Sequence, residues 1–127
     1  MGAAMNIAHI GLLVADLDRA AAFYEQVLGL PRTERPELAF DGIWYGLEGQ
    51  QQIHLMRLDD PYSDCLQPTH GGCDRHIAFQ TDDFVCIRDR LDSAAIPYTL
   101  SKSGRTALFC RDPDGNTLEL IACVPLD

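Results

Sequence analysis

Four side chains could do chemistry together: His9, His54, His76 and Glu119. Each sits in a run of alternating apolar residues, the mark of a half-buried strand. Near the C-terminus Leu118, Leu120 and Ala122 take one face, and Thr117, Glu119 and Ile121 the other. A carboxylate between two leucines is costly to bury unless something pairs it. By the same parity His9 opposes Ile10 and Leu12, His54 opposes Ile53 and Leu55, and His76 opposes Ile77 and Phe79. A lone strand histidine is more often a hydrogen-bonded rim or core residue. Three imidazoles and a carboxylate of matching parity suit a divalent ion instead. Such a donor set, with open positions, fits Zn, Ni, Mn, Fe or Co used for reaction rather than for structure.

The elements that must carry these residues form an internal repeat. His9-Ile10 recurs as His76-Ile77, Asp16 as Asp83, Pro31 as Pro97, Gly49 as Gly115, and His54-Leu55 as Glu119-Leu120, at a nearly constant offset. In the first unit a strand over Asn6–Val14 leads to a helix that Asp16 or Asp18 can cap. Leu17, Ala20, Ala21, Tyr24, Val27 and Leu28 recur at helical spacing, and Gly29 stands where a C-terminal glycine belongs. Short strands are expected near 32–36, over Ile43–Leu47 and over Gln51–Arg57. Residues 59–75, with two prolines and two glycines, read as a structureless linker between units. His70 lies in it and reads as an ordinary loop histidine. In the second unit a strand over His76–Thr81 precedes a helix carrying Phe84, Ile87, Leu91, Ala94 and Ala95, with Asp82 or Asp83 as cap. Strands follow near 98–102, 105–110 and 116–123. Asp112-Pro-Asp-Gly115 is turn chemistry before the last strand: Pro113 presets φ and Gly115 accepts a positive one.

The expected fold is therefore α+β: two βαβββ modules, one over 5–58 and one over 76–124, joined by the 59–75 linker into a single domain. The chain has 127 residues, 46% of them hydrophobic, enough for a real core. Its net charge of −9 argues against nucleic acid or an anionic membrane as partner. No apolar run approaches the length needed to span a bilayer. The start Met-Gly-Ala-Ala-Met-Asn lacks the basic and apolar regions of a secretory signal, and Gly2 lacks the Ser or Thr at position 6 of a myristoylation motif. Cys65, Cys73, Cys86, Cys110 and Cys123 are odd in number and lack C-x-x-C spacing. Reduced thiols in a cytoplasmic protein are the expectation.

Four stretches together resemble the vicinal oxygen chelate superfamily, which includes glyoxalase I, fosfomycin- and bleomycin-resistance proteins, methylmalonyl-CoA epimerase and extradiol dioxygenases. They are His9-Ile-Gly-Leu-Leu-Val-Ala-Asp-Leu-Asp18, Phe23-Tyr24 through Leu28-Gly29-Leu30, His76-Ile-Ala-Phe79, and Asp112-Pro-Asp-Gly through Leu118-Glu-Leu120. The resemblance implies that His9, His76 and Glu119 hold a metal, and that His54 stands at a fourth position. It implies modules paired around a U-shaped cavity, commonly in a homodimer. It also implies Lewis-acid chemistry in which a metal holds two neighbouring substrate oxygens.

Glyoxalase I-like lyase or isomerase action on a small, oxygenated, thiol-conjugated substrate such as a glutathione adduct is the member it points to, with Glu119 as the proton-transferring base. The alternative is a fosfomycin- or bleomycin-type resistance protein. A ring-cleaving dioxygenase is disfavoured, because Phe109 stands where those enzymes carry a tyrosine. Lys102 and Arg105 are candidate cations for the substrate, with Arg32, Arg35 and Arg111 as further basic residues. Of Trp44 and Tyr45 one should face the cavity; Trp44 is the candidate.

Overall fold

The computed structural model describes residues 3–123. Gly2 and Val124, the last residue assigned to the second module, lie outside them. The chain divides into two compact units, Met1–Pro61 and Tyr62–Asp127. Both are α+β.

In the first unit, β1 (His9–Val14) leads into α1 (Leu17–Ala21). Asp16 caps α1: its carboxylate accepts from the Arg19 amide at 2.9 Å. The helix does not run on as one α-helix to Leu28, as its apolar spacing predicts. Over Ala22–Val27 it widens into a π-helical turn, closed by Leu28 N–H donating to the Phe23 carbonyl. Gly29 then turns the chain at φ 76°. β2 (Gly42–Gly46) and β3 (Gln52–Arg57) complete a three-stranded sheet of order β1-β3-β2. β3 runs parallel to β1 and antiparallel to β2. The strand expected near 32–36 is absent: a single bridge, Arg32 with Tyr45, is all that pairs there. Two glutamates and a proline within Glu34–Glu37 offer little to bury and remove a donor.

Ile43, Tyr45, Ile53 and Leu55 are buried with Ala20, Phe23, Tyr24 and Val27. Tyr24 and Tyr45 stack with ring centroids 5.9 Å apart. Helix and sheet therefore meet on the Tyr45 face. The Tyr45 hydroxyl donates to Glu25 at 2.7 Å, and Arg32 Nε donates to the same oxygen at 2.7 Å.

The second unit repeats this plan and adds a strand. β4 (Ile77–Thr81), α2 (Phe84–Ser93), β5 (Tyr98–Leu100), β6 (Ala107–Arg111) and β7 (Thr117–Ala122) give a sheet of order β4-β7-β6-β5. β7 is parallel to β4 and antiparallel to β6. Phe84, Ile87, Leu91, Leu108, Cys110, Leu118 and Leu120 form the core. Burial, and then the charge of Asp112, push the Cys110 thiol up to about 12, so it stays protonated. Asp83 sits at the start of α2 but makes no side-chain cap; its carboxylate pairs with Arg90 at 3.0 Å. Asp112 ties the turn before β7: it accepts from the Asp114 and Asn116 amides at 2.9 Å, while Gly115 takes φ 88°.

The 59–75 stretch is not structureless. Gly71–Cys73 forms a 3-10 turn. Gln67 donates to the Gly115 carbonyl at 2.8 Å, and Arg111 donates to the Pro68 carbonyl at 2.6 Å and to Asp74 at 2.9 Å. Gly71 lies so close to β6 that a Cβ there would come 2.9 Å from that of Phe109. From Tyr62 onward this segment belongs to the second unit.

Candidate active site

Each unit brings one pair of the candidate donors together, on the strand face turned away from its helix. In both, the donor on the last strand faces a small residue on the first. His54 pairs in register with Gly11, and Glu119 with Ala78. The first-strand histidine sits two residues earlier, diagonal to its partner and within side-chain reach.

In the second unit His76, just before β4, places Nε2 3.4 Å from Glu119 Oε1. Its Nδ1 lies 2.8 Å from the Asp74 carbonyl. A carbonyl can only accept, so Nδ1 carries a hydrogen and Nε2 is the nitrogen left to face Glu119. Nε2 and a carboxylate oxygen thus face each other, an ion pair when the ring is protonated and two donors for a cation when it is neutral. The Glu119 side chain is 3% exposed, and its other oxygen is 3.3 Å from Arg105 Nη2. Phe109, directly across the strands from Glu119, sets its ring edge-on to His76 at 5.2 Å. Its apolar ring supplies no proton. His70 is more than a loop residue: it caps the 3-10 turn through Nδ1, accepting from Gly72, and packs 5.2 Å from Phe109.

In the first unit three rings stack. His54 lies 3.8 Å from Trp44 with planes 2° apart, and 4.0 Å from His9 with planes 15° apart. His54 Nε2 donates to Gln52 Oε1 at 2.7 Å. Burial, with the nearby His9 and Arg35 charges, lowers the His54 pKa and keeps the ring neutral at pH 7. The stack lines a cavity of about 590 Å³, with Phe40, Gln52 and Met56 among its walls. Arg35 holds Phe40 there, donating to its carbonyl at 2.7 Å with its guanidinium 5.3 Å over the ring. Trp44, not Tyr45, is on this face.

Of the candidate cations, Arg105 reaches a donor and Lys102 is exposed in the turn before it. Arg111 is committed to Asp74 and Thr117, and Arg32 to Glu25. Parity could have found Gln52, which shares the His54 face. The Asp74 carbonyl that orients His76 leaves no trace in side-chain pattern, and Phe40 lies in an irregular segment without a period.

These donors differ in how they fit a divalent ion. His76 and Glu119 fit: with Nδ1 taken by the Asp74 carbonyl, Nε2 and a buried carboxylate oxygen are turned toward each other and would serve as nitrogen and oxygen donors to one cation. His9 and His54 as stacked cannot share one ion, because imidazole lone pairs lie in the ring planes and these planes run nearly parallel. One ring must turn before both could ligate. Among the described residues no group of three or more His, Cys, Asp or Glu side chains is gathered into a metal shell.

The lactoylglutathione lyase of Haemophilus influenzae is 32% identical over 130 aligned positions, covering 92% of this chain and 92% of that one. A glyoxylase/bleomycin resistance protein/dioxygenase domain from Frankia sp. superposes with a TM-score of 0.74 at 24% identity, over 94% of this chain and 98% of that one. A variant of the fosfomycin resistance protein FosX from Listeria monocytogenes, complexed with Mn(II) and a dihydroxypropylphosphonic acid, superposes with a TM-score of 0.72 at 20% identity, over 96% and 95%. The two solved structures share the fold. A family model spanning residues 6–120 carries both ends of the repeat, from before His9 to the donor strand that ends it. The chain belongs to the Glyoxalase/Bleomycin resistance protein/Dioxygenase superfamily.

Proposed function

We propose that this chain is a divalent-metal-dependent lyase or isomerase of glyoxalase I type, acting on a small oxygenated substrate joined to a thiol such as glutathione. The observation that carries the reading is the His76–Glu119 pair, an imidazole Nε2 turned toward a buried carboxylate oxygen while Nδ1 is held by a backbone carbonyl. The likeness to lactoylglutathione lyase over nearly the whole chain supports the substrate class. His9, His76 and Glu119 are the donors, and His54 tunes His9 from behind through its ring face. A bound divalent ion supplies Lewis-acid polarisation of the substrate oxygens. Glu119 takes the proton from the hydroxyl-bearing carbon beside the carbonyl and returns it to the carbonyl carbon, while the hydroxyl proton passes to the former carbonyl oxygen. In the first unit the cavity walled by Trp44 and Phe40 suits an organic group, and in the second unit Lys102 and Arg105 suit an anionic one. The same reading makes the working form a homodimer, twice the chain mass by light scattering.

The test is metal analysis beside an assay with the hemithioacetal of methylglyoxal and glutathione. About one Ni(II) or Zn(II) per chain, lost in His76→Ala together with turnover, is the expected result. Full occupancy in His76→Ala, or a metal-loaded protein inert toward hemithioacetals, would overturn it. The aromatic-walled cavity favours a second reading, a drug-binding resistance module; metal-independent capture of an aromatic drug would mark that. Phe109 predicts no ring cleavage of catechols with Fe(II) and oxygen.

A further inference from the structure

We propose that Arg105 is a displaceable counter-ion of Glu119, and that it couples the binding of an oxyanion to the binding of the metal. The inference rests on the proposed metal site and adds a device that site does not need.

Glu119 has a buried side chain, so in the metal-free protein its charge requires a partner. Arg105 supplies one at Oε2, while Oε1 faces His76. The contact is 3.3 Å, longer than the 2.7–2.9 Å usual for an ammonium or guanidinium on a carboxylate. Arg105 is also more than half exposed, at 58%. It stands on the turn between β5 and β6, two residues before β6, where Gly104 takes φ 87°. Ser103 Oγ offers its Nε a second acceptor at 3.2 Å. A weak contact, an open side and an alternative partner describe a side chain that can leave.

Were His76 and Glu119 to hold a divalent ion, one carboxylate would face two cations, the ion and Arg105. Their repulsion, screened on the exposed Arg105 side, would still weaken the hold on Arg105. The freed guanidinium keeps a planar fork suited to a carboxylate or phosphonate. An oxyanion on that fork cancels the charge that opposes the metal. Coupling of this kind is reciprocal: the anion tightens the metal by the factor by which the metal tightens the anion.

Titration of the full-length protein with Ni(II) by calorimetry tests this, in wild type, Arg105→Gln and Arg88→Gln. Arg88, paired with Asp89 on α2, controls for the loss of one positive charge elsewhere. Each is titrated with chloride alone, with S-methylglutathione and with methylphosphonate, at matched ionic strength. The two oxyanions separate a carboxylate from a phosphonate source. Arg105→Gln is expected to bind Ni(II) about threefold to tenfold more tightly than wild type in chloride. At least one oxyanion should tighten Ni(II) binding in wild type and in Arg88→Gln but not in Arg105→Gln. Equal or weaker binding by Arg105→Gln would overturn the coupling alone, as would a wild type indifferent to both oxyanions. A wild type that takes up no metal would overturn the coupling and the proposed function together.

Discussion

Glu25 shows how one carboxylate organises the first unit from the side opposite the candidate site. Burial opposes its charge, but hydrogen bonds from Tyr45 and Arg32, and the Arg32 charge, hold its pKa below the usual value. Tyr45 in turn is pushed up, by burial first and then by its bond to Glu25. Removing the hydroxyl in Tyr45→Phe should cost about 1–2 kcal/mol at neutral pH, read by urea unfolding. The sign of its pH dependence follows from the depressed folded pKa. The stability that Glu25 gains from its donors is present above its unfolded pKa, near 4.3, and is lost as pH falls through the folded one. The gap between wild type and variant should therefore shrink on acidification below about pH 4. A gap that stays constant to pH 3 would mean the hydroxyl acts through packing. His76 meets a subtler constraint: a backbone carbonyl two residues earlier fixes which of its nitrogens is free. Sequence parity gave its face and could not give its tautomer.

At the scale of elements, most strands and both helices are where apolar period placed them. The exceptions have physical causes. Residues 32–36 have the right position for a strand but little to bury, so only the Arg32–Tyr45 bridge survives where the second unit forms β5. The π-helical turn is invisible to helical spacing, since Phe23, Tyr24 and Val27 are buried in either winding. The repeat also exposes a mismatch between the two helix ends. Gly29 leaves α1 and its π-helical turn at φ 76°; at the matching place after α2 stands Ala95, at φ 55°. A side chain there is strained where glycine is not. Ala95→Gly should stabilise the protein by about 0.5–1 kcal/mol, seen as a higher midpoint in guanidinium. A lower midpoint would show that α2 does not keep this end in solution.

For the whole molecule, the duplication was the most legible feature, because it is written in residues spaced along the entire chain. The role of 59–75 was not. Its order comes from Arg111 on β6 reaching Pro68, and from Gln67 and Gly71 meeting Gly115 and Phe109, all some forty residues apart in the chain, and such contacts carry no local period. For the donors, parity and the repeat gave a shared face for all four; which one meets which within a unit, His76 with Glu119 and His9 with His54, depends on a strand register that parity does not carry. The stacking of the second pair was not, since parity fixes a face and not a ring plane. Among the described residues no helix is long and apolar enough to cross a membrane. Metal uptake should register on global stability by mass action. Ni(II) at about one hundred times its dissociation constant adds about 2.7 kcal/mol to the folded state. The melting temperature of wild type should rise accordingly and that of His76→Ala should not; equal rises would place the ion elsewhere.

β3 and β7, which bear His54 and Glu119, are each bonded to a neighbour on both sides, while Ile53, Leu55, Leu118 and Leu120, which flank these donors, point the other way into the core. Reactivity and folding thus ride on alternate residues of the same ribbon. A lineage built this way can trade imidazole for carboxylate or amide at such a position, and so drift from one reaction to the next, while the buried half of the ribbon goes on specifying the same shape.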